Sequence, residues 1–81
     1  MNKLSTIEAI KNIYENGEVV FKGYSKDEGE SNFYLFGSHW AGNLFLRMVE
    51  KENNNFNDYE AIPIHDNVYW VETNEIDINK L

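Results

Sequence analysis

Metal binding is the first chemistry that the residue types allow to be weighed. His39 and His65 stand alone in the chain, with neither His-x-His nor His-x-x-x-His spacing, and no cysteine is present for a thiolate site. Asp27-Glu28-Gly29-Glu30 is acidic, but a calcium loop places its glycine at position six. The segment reads as a solvated turn, so no metal and no cofactor is expected. Nucleophilic catalysis is barely supported. Ser38 precedes His39, but neighbours in an extended segment point opposite ways, and a Ser–His dyad needs a folded geometry instead. Gly37 and Gly42 are five apart with no Lys-Ser or Lys-Thr pair after them, so the phosphate loop is missing. No two carboxylates are singled out for acid–base work. The expected class is therefore a binding protein and not an enzyme.

The remaining chemistry is charge. From Glu52 to Asn79 there are seven acids (Glu52, Asp58, Glu60, Asp66, Glu72, Glu75 and Asp77) and no Lys or Arg. The first 51 residues hold seven acids against six bases, so the net charge of −7 is concentrated in the last third. Acids two apart occur at Glu28/Glu30, Glu50/Glu52, Asp58/Glu60 and Glu75/Asp77. On a strand such residues share a face at about 6.8 Å, close to two steps of axial rise along one DNA strand, about 3.4 Å each. Random placement of as many acids yields about two such pairs, so four is no strong excess and the base-free run is the stronger signal. A row of carboxylates at this pitch can stand in for phosphates in a basic groove. The plainer reading is an acidic surface kept for solubility.

Two functional readings follow. In the first, Glu50, Glu52, Asp58, Glu60, Glu72, Glu75 and Asp77 supply charge to a partner-binding face, with Phe56 and Tyr59 as apolar anchors. The partner is a larger basic protein, a nuclease or another nucleic-acid-binding protein. In size and composition the chain looks like the small acidic inhibitors that phages and mobile elements direct against host defence, although no motif matches one. In the second, the chain is an oligomeric module that sequesters or senses a small nucleotide-like ligand. His39 and Trp40, set between Gly37 and Gly42, would expose a ligand or interface loop, with Trp40 or Trp70 stacking on a flat ring. A phosphate there would require Arg47 or a lysine in the pocket.

Elements must position these residues. Ser5-Thr6-Ile7-Glu8 is a capping box, Ile7, Ile10, Ile13 and Tyr14 recur at helical spacing, and Asn16-Gly17 supplies a left-handed stop. The spacing predicts a helix over 6–15. Strands are expected at 18–24, 32–36, 44–50, 61–64 and 68–72 from their β-branched and aromatic content. In the third, Leu44, Leu46 and Met48 fall on one face. Ser25–Ser31 is a turn centred on Gly29, Gly37–Asn43 a connection, Asn53–Asp58 a polar loop, and His65-Asp66-Asn67 another turn. Pro63 marks its strand as an edge or bulge. The tail carries Ile76 and Ile78 two apart and reads as an edge strand or a turn of helix. Short loops favour antiparallel neighbours.

The fold class is α+β: one N-terminal helix packed on a four- to five-stranded, mostly antiparallel, curled sheet. A partly closed barrel is the alternative. Phe33-Tyr34-Leu35-Phe36 and Val68-Tyr69-Trp70-Val71 are apolar on both faces. One short helix covers one face, so either the sheet curls or an apolar patch meets a partner or a second copy in a homodimer.

Size and composition bound the rest. Eighty-one residues make one domain, 1–81. A content of 42% hydrophobic and 15% aromatic residues exceeds that of disordered chains. The lack of cysteine fits a reducing, cytoplasmic setting. The start of the chain lacks an apolar secretory core, and no run of apolar residues is long enough to span a membrane. The acidic balance disfavours direct contact with nucleic acid or anionic lipid.

Overall fold

A computed structural model describes residues 2–62, 64 and 66–77. The chain runs α1 (Thr6–Asn16), β1 (Val20–Ser25), β2 (Gly29–Trp40), β3 (Asn43–Glu52), β4 (Asn55–Tyr59) and β5 (Val68–Glu72). The strands form one antiparallel sheet in the order β4-β3-β2-β1-β5, and the sheet is not closed into a barrel.

The helix starts where its capping chemistry demands. Ser5 Oγ accepts from the Glu8 amide at 3.2 Å and Glu8 Oε1 accepts from the Ser5 amide at 2.9 Å. These bonds satisfy two donors that helix geometry leaves open. They also hold the Glu8 carboxyl below its ordinary value, chiefly through the backbone bond at Ser5. The buried stripe differs from the expected one. Thr6, Ala9 and Ile13 are buried with Ile10 partly so, while Ile7 and Tyr14 are exposed. Positions 6, 9, 10 and 13 make a continuous helical face, and small Ala9 lets the backbone approach the sheet.

Cross-strand partners share a face of the sheet. The front, under the helix, carries Phe21, Leu35, Met48 and Trp70 with Ala9 and Ile13. Gly37 lies on this face in mid-strand. A Cβ there would stand 2.6 Å from Leu44 Cδ1 and 2.9 Å from Ile13 Cγ2, so its missing side chain is what admits the helix. Trp70 is buried, and its indole N–H donates to Thr6 Oγ1 at 2.9 Å. Leu4 also pairs with Trp70, which ties the chain start to the outer edge of β5.

The back face carries Val20, Tyr34, Phe36 and Val49, all buried, with Phe56 and Ile76 packed against them. Apolar residues on both faces lead to the expectation of a curled sheet or a patch that meets a partner or a second copy. The structure adds a cover from the chain itself: the segment Thr73–Asp77 turns back over this face, seated by Ile76, while Arg47 lies over the Phe36 ring at 5.2 Å.

Three expected connections are revised. Gly37–Asn43 is not a loop. β2 runs to Trp40 and β3 starts at Asn43, joined by Ala41 (φ 53°) and Gly42 (φ 78°). Two successive left-handed residues make a tight hairpin whose twist matches its strands. Asn53–Asp58 is not a polar loop either. Asn53 takes φ 58° in the next turn, and Asn55–Tyr59 pairs along β3 as β4. Asparagine tolerates the left-handed region better than most residues. Finally, Ala61, Ile62 and Ile64 belong to no strand. This stretch must travel from β4 at one edge to β5 at the other, about 19 Å across four strand spacings, and Ile62 packs on the front core as it passes. Pro63, His65 and Ile78, on which parts of those expectations fell, lie outside the described residues.

Candidate partner interface

Alternation along β3 sorts its charges. Register pairs Tyr34 with Val49, Phe36 with Arg47 and Lys51 with Phe56, so Arg47, Val49 and Lys51 face the back. Glu50 and Glu52, beside Phe33 and Asn57, face the front. The strand is therefore bipolar, with bases on one side and acids on the other, though the sequence 47–52 mixes them.

On the front, β4 orients both carboxylates. The Tyr59 hydroxyl donates to Glu50 Oε1 at 2.8 Å, and Asn57 Nδ2 donates to Glu52 Oε2 at 3.4 Å. The Phe33 ring meets Tyr59 edge-on at 5.2 Å, which fixes the phenol. The Tyr59 hydroxyl is pushed above its ordinary pKa, first by its bond to Glu50, then by desolvation and by the charges of Glu50 and Glu52. Both carboxylates thus act on one phenol. Glu60 follows directly, and β4 is an edge strand with one side unpaired in the sheet.

On the back, acids neutralise the chain's own bases. Asp58 Oδ1 accepts from Arg47 Nε at 3.1 Å and Nη2 at 2.8 Å. The Lys22 ammonium, its side chain only 8% exposed, bonds the carboxylates of Glu30 and Glu75. Burial opposes its charge, but the bonds to Glu30 and Glu75 together outweigh this and raise its pKa. Glu75 Oε2 lies 3.2 Å from Lys22 Nζ and accepts from the Tyr34 hydroxyl at 3.1 Å. Its carboxyl is held below its ordinary value, chiefly by Lys22, whereas burial raises the Tyr34 phenol.

The expected partner-binding set thus divides. Glu50, Glu52, Phe56, Asp58, Tyr59 and Glu60 gather at the β3–β4 edge, but Phe56 and Asp58 point to the back, with Phe56 packed in the core there. Glu72 stands on β5 at the opposite edge, and Glu75 and Asp77 lie on the returning segment. Sequence reasoning missed Asn57 and the orienting role of Tyr59. The signal was the alternation Asn55-Phe56-Asn57-Asp58-Tyr59, obscured by low β-propensity of asparagine.

Trp40 and Trp70 do not share a site. Trp70 belongs to the core, whereas Trp40 is 73% exposed at the hairpin tip, where its ring lies 6.4 Å from that of Phe45. His39 faces the front, its ring against Gly17 at the helix end. An apolar cavity of about 210 Å3 opens beside Gly23, Phe33, Met48 and Trp70. Among the described residues no group of three or more potential ligands is placed to hold a metal ion, and no helix is long and apolar enough to cross a membrane. No protein-family model, no curated protein and no solved structure matches this chain.

Proposed function

We propose that the chain is a non-enzymatic binding protein whose acidic β3–β4 edge occupies a basic, nucleic-acid-binding site on a larger protein. An inhibitor of the kind that phages and mobile elements use against host defence has this chemistry. The observation that carries the reading is the pair Glu50 and Glu52, held on one face by Tyr59 and Asn57. Two carboxylates about 6.8 Å apart along a strand, already ordered before contact, lose less side-chain entropy on binding than free ones. The bases nearest in sequence, Arg47 and Lys51, face away. Electrostatic complementarity then steers the encounter and makes it salt-dependent.

The test is capture of the partner by tagged protein at low salt, followed by challenge with duplex DNA or RNA. The captured protein should bind nucleic acid, be displaced by the duplex and be lost as salt is raised. The variant Glu50→Lys/Glu52→Lys should capture none of it. Capture that survives both charge reversals and is indifferent to salt would refute the reading.

A further inference from the structure

The helix leaves one corner of the front face open. It crosses from Trp70, whose indole N–H donates to Thr6, to Gly37, where Ile13 is seated. Beyond that line the sheet carries Gly23 and Ser31, which are too small to fill the space. The cavity of about 210 Å3 opens there, and no residue of α1 lines it. Met48 and Trp70 line it from buried positions, while Phe33 and Val68 are half-buried. Trp70 is a fixed wall. Its Nε1 is bound to Thr6, and its far edge lies over Gly23, where a Cβ would stand 2.9 Å from Cζ3. Walls already ordered need little further ordering when a ligand enters.

The serine hydroxyls in the lining are already engaged. Ser31 Oγ donates to Gly23 O at 2.5 Å and accepts from the Phe33 amide at 3.2 Å. Ser25 Oγ accepts from the amides of Asp27 and Glu28, both at 3.2 Å, and from Asn67 Nδ2 at 3.4 Å. A sugar or a phosphate would shed its hydration here without gaining equivalent bonds. Glu28 differs. Among the described residues it is the one charged side chain in the lining, it is exposed, and its carboxylate takes no bond.

We propose that this corner binds a small organic amine, with an apolar ring between Phe33, Val68 and Trp70 and an ammonium at the rim on Glu28. Volume selects the ring. A dry apolar cavity of about 150 Å3 takes up benzene, so this one has room for a ring and a short linker. Apolar walls reward burial of a ring in proportion to its area. Charge selects the amine, because the fixed charge at the mouth is a carboxylate and the chain as a whole carries −7. The site is separate from the β3–β4 edge and requires no partner protein.

A nuclear magnetic resonance titration of the full chain with phenethylamine, which is protonated at neutral pH, tests this. The Met48 methyl and the Trp70 indole N–H signals should shift, with a Kd on the order of 1 mM or tighter. Phenethyl alcohol, with the same ring and no charge, should bind about two- to five-fold more weakly, and phenylpropionate more weakly still. Ethylamine, with the charge and no ring, should leave both signals in place. Glu28→Gln, at an exposed turn, should bring the amine down to the level of the alcohol and leave the alcohol unchanged. Glu50→Gln/Glu52→Gln should keep the preference for the amine. Val68→Phe, which fills the space, should abolish binding of both ligands. Circular dichroism checks that this variant melts cooperatively; if it does not, Glu28→Gln decides. No binding at about 10 mM phenethylamine, equal binding of phenylpropionate, or shifts reproduced by ethylamine would each overturn the proposal. So would an amine preference that survives Glu28→Gln or is lost in Glu50→Gln/Glu52→Gln, or a folded Val68→Phe that still binds.

Discussion

Replacing Gly37 by alanine separates two opposing effects by sign. At an unconstrained site, Gly→Ala stabilises by about 0.4–1 kcal/mol, because the unfolded chain loses freedom. Gly37 is a mid-strand residue without a positive φ, so its backbone accepts alanine. Its surroundings do not. The added Cβ would meet Leu44 Cδ1 at 2.6 Å and Ile13 Cγ2 at 2.9 Å. The Leu44 methyl ends a partly exposed side chain and can rotate away. The Ile13 methyl is on a β-branched, fully buried side chain with a stiff χ1, so the helix itself must retreat. Overpacking of this kind costs about 1–3 kcal/mol. Set against the entropic gain, the mid-range net is a destabilisation of about 1.3 kcal/mol. For a chain of this size that lowers Tm by about 5–10 °C. Thermal unfolding followed by far-ultraviolet circular dichroism reads it directly. Leu44→Ala should relieve part of the clash, so the double variant should lose less than the two single losses combined. A Gly37→Ala protein with unchanged or higher Tm would refute the reasoning, and with it the claim that Gly37 admits the helix.

Other expectations rest on single contacts. Ser5→Ala removes one half of the capping box and should lower stability by about 0.5–2 kcal/mol in urea unfolding, with an unchanged m-value. Asn53→Ala leaves alanine in the left-handed region and should cost about 1–2 kcal/mol, whereas Asn53→Gly should cost little. Glu75→Gln should lower Tm by about 1–8 °C at neutral pH, since an ion pair with an exposed partner contributes about 0.2–1 kcal/mol. Because the folded carboxyl titrates below its ordinary value of 4.5, that contribution is complete above pH 4.5 and disappears as pH falls through the lowered value. The difference between wild type and Glu75→Gln should therefore vanish in acid; a gap that persists there would assign the loss to packing. Trp40→Ala, at an exposed tip, should move stability by no more than about 0.5 kcal/mol in the same melts.

Local chemistry was legible wherever a few neighbouring residues decide the conformation. The capping box and Gly17 set the helix ends within a residue, and Gly29 marked the first hairpin. The run Val68-Tyr69-Trp70-Val71-Glu72 is β5 as expected. Legibility failed where tertiary pairing overruled propensity. Asn55-Phe56-Asn57-Asp58-Tyr59 is a poor strand by composition, but β3 offers it a ladder and Phe56 a place in the back core. Ala61–Ile64 is apolar enough for a strand, but it is spent crossing between sheet edges. The helical stripe shifted from Ile7 and Tyr14 to Thr6 and Ala9 because the sheet receives a small face more closely than a large one.

The base-free run from Glu52 to Asn79 shows the same division. Composition alone determined that the chain is acidic, that its negative charge collects late, and that neither cysteine chemistry nor a matched metal spacing is present. It also determined the α+β class, through the period of its apolar residues and the brevity of its connections. Tertiary structure alone decided where each carboxylate acts. Strand order sent β4 and β5 to opposite edges, so acids close in sequence parted. The two-residue period of β3 turned Glu50 and Glu52 to the front and Arg47 and Lys51 to the back. Asp58 was thereby bound to Arg47, and the return of the chain after β5 bound Glu75 to Lys22, while Glu50 and Glu52 were left together on the front. Charge is a property of residues, but whether it is paired or presented depends on face and register, which only the folded sheet defines.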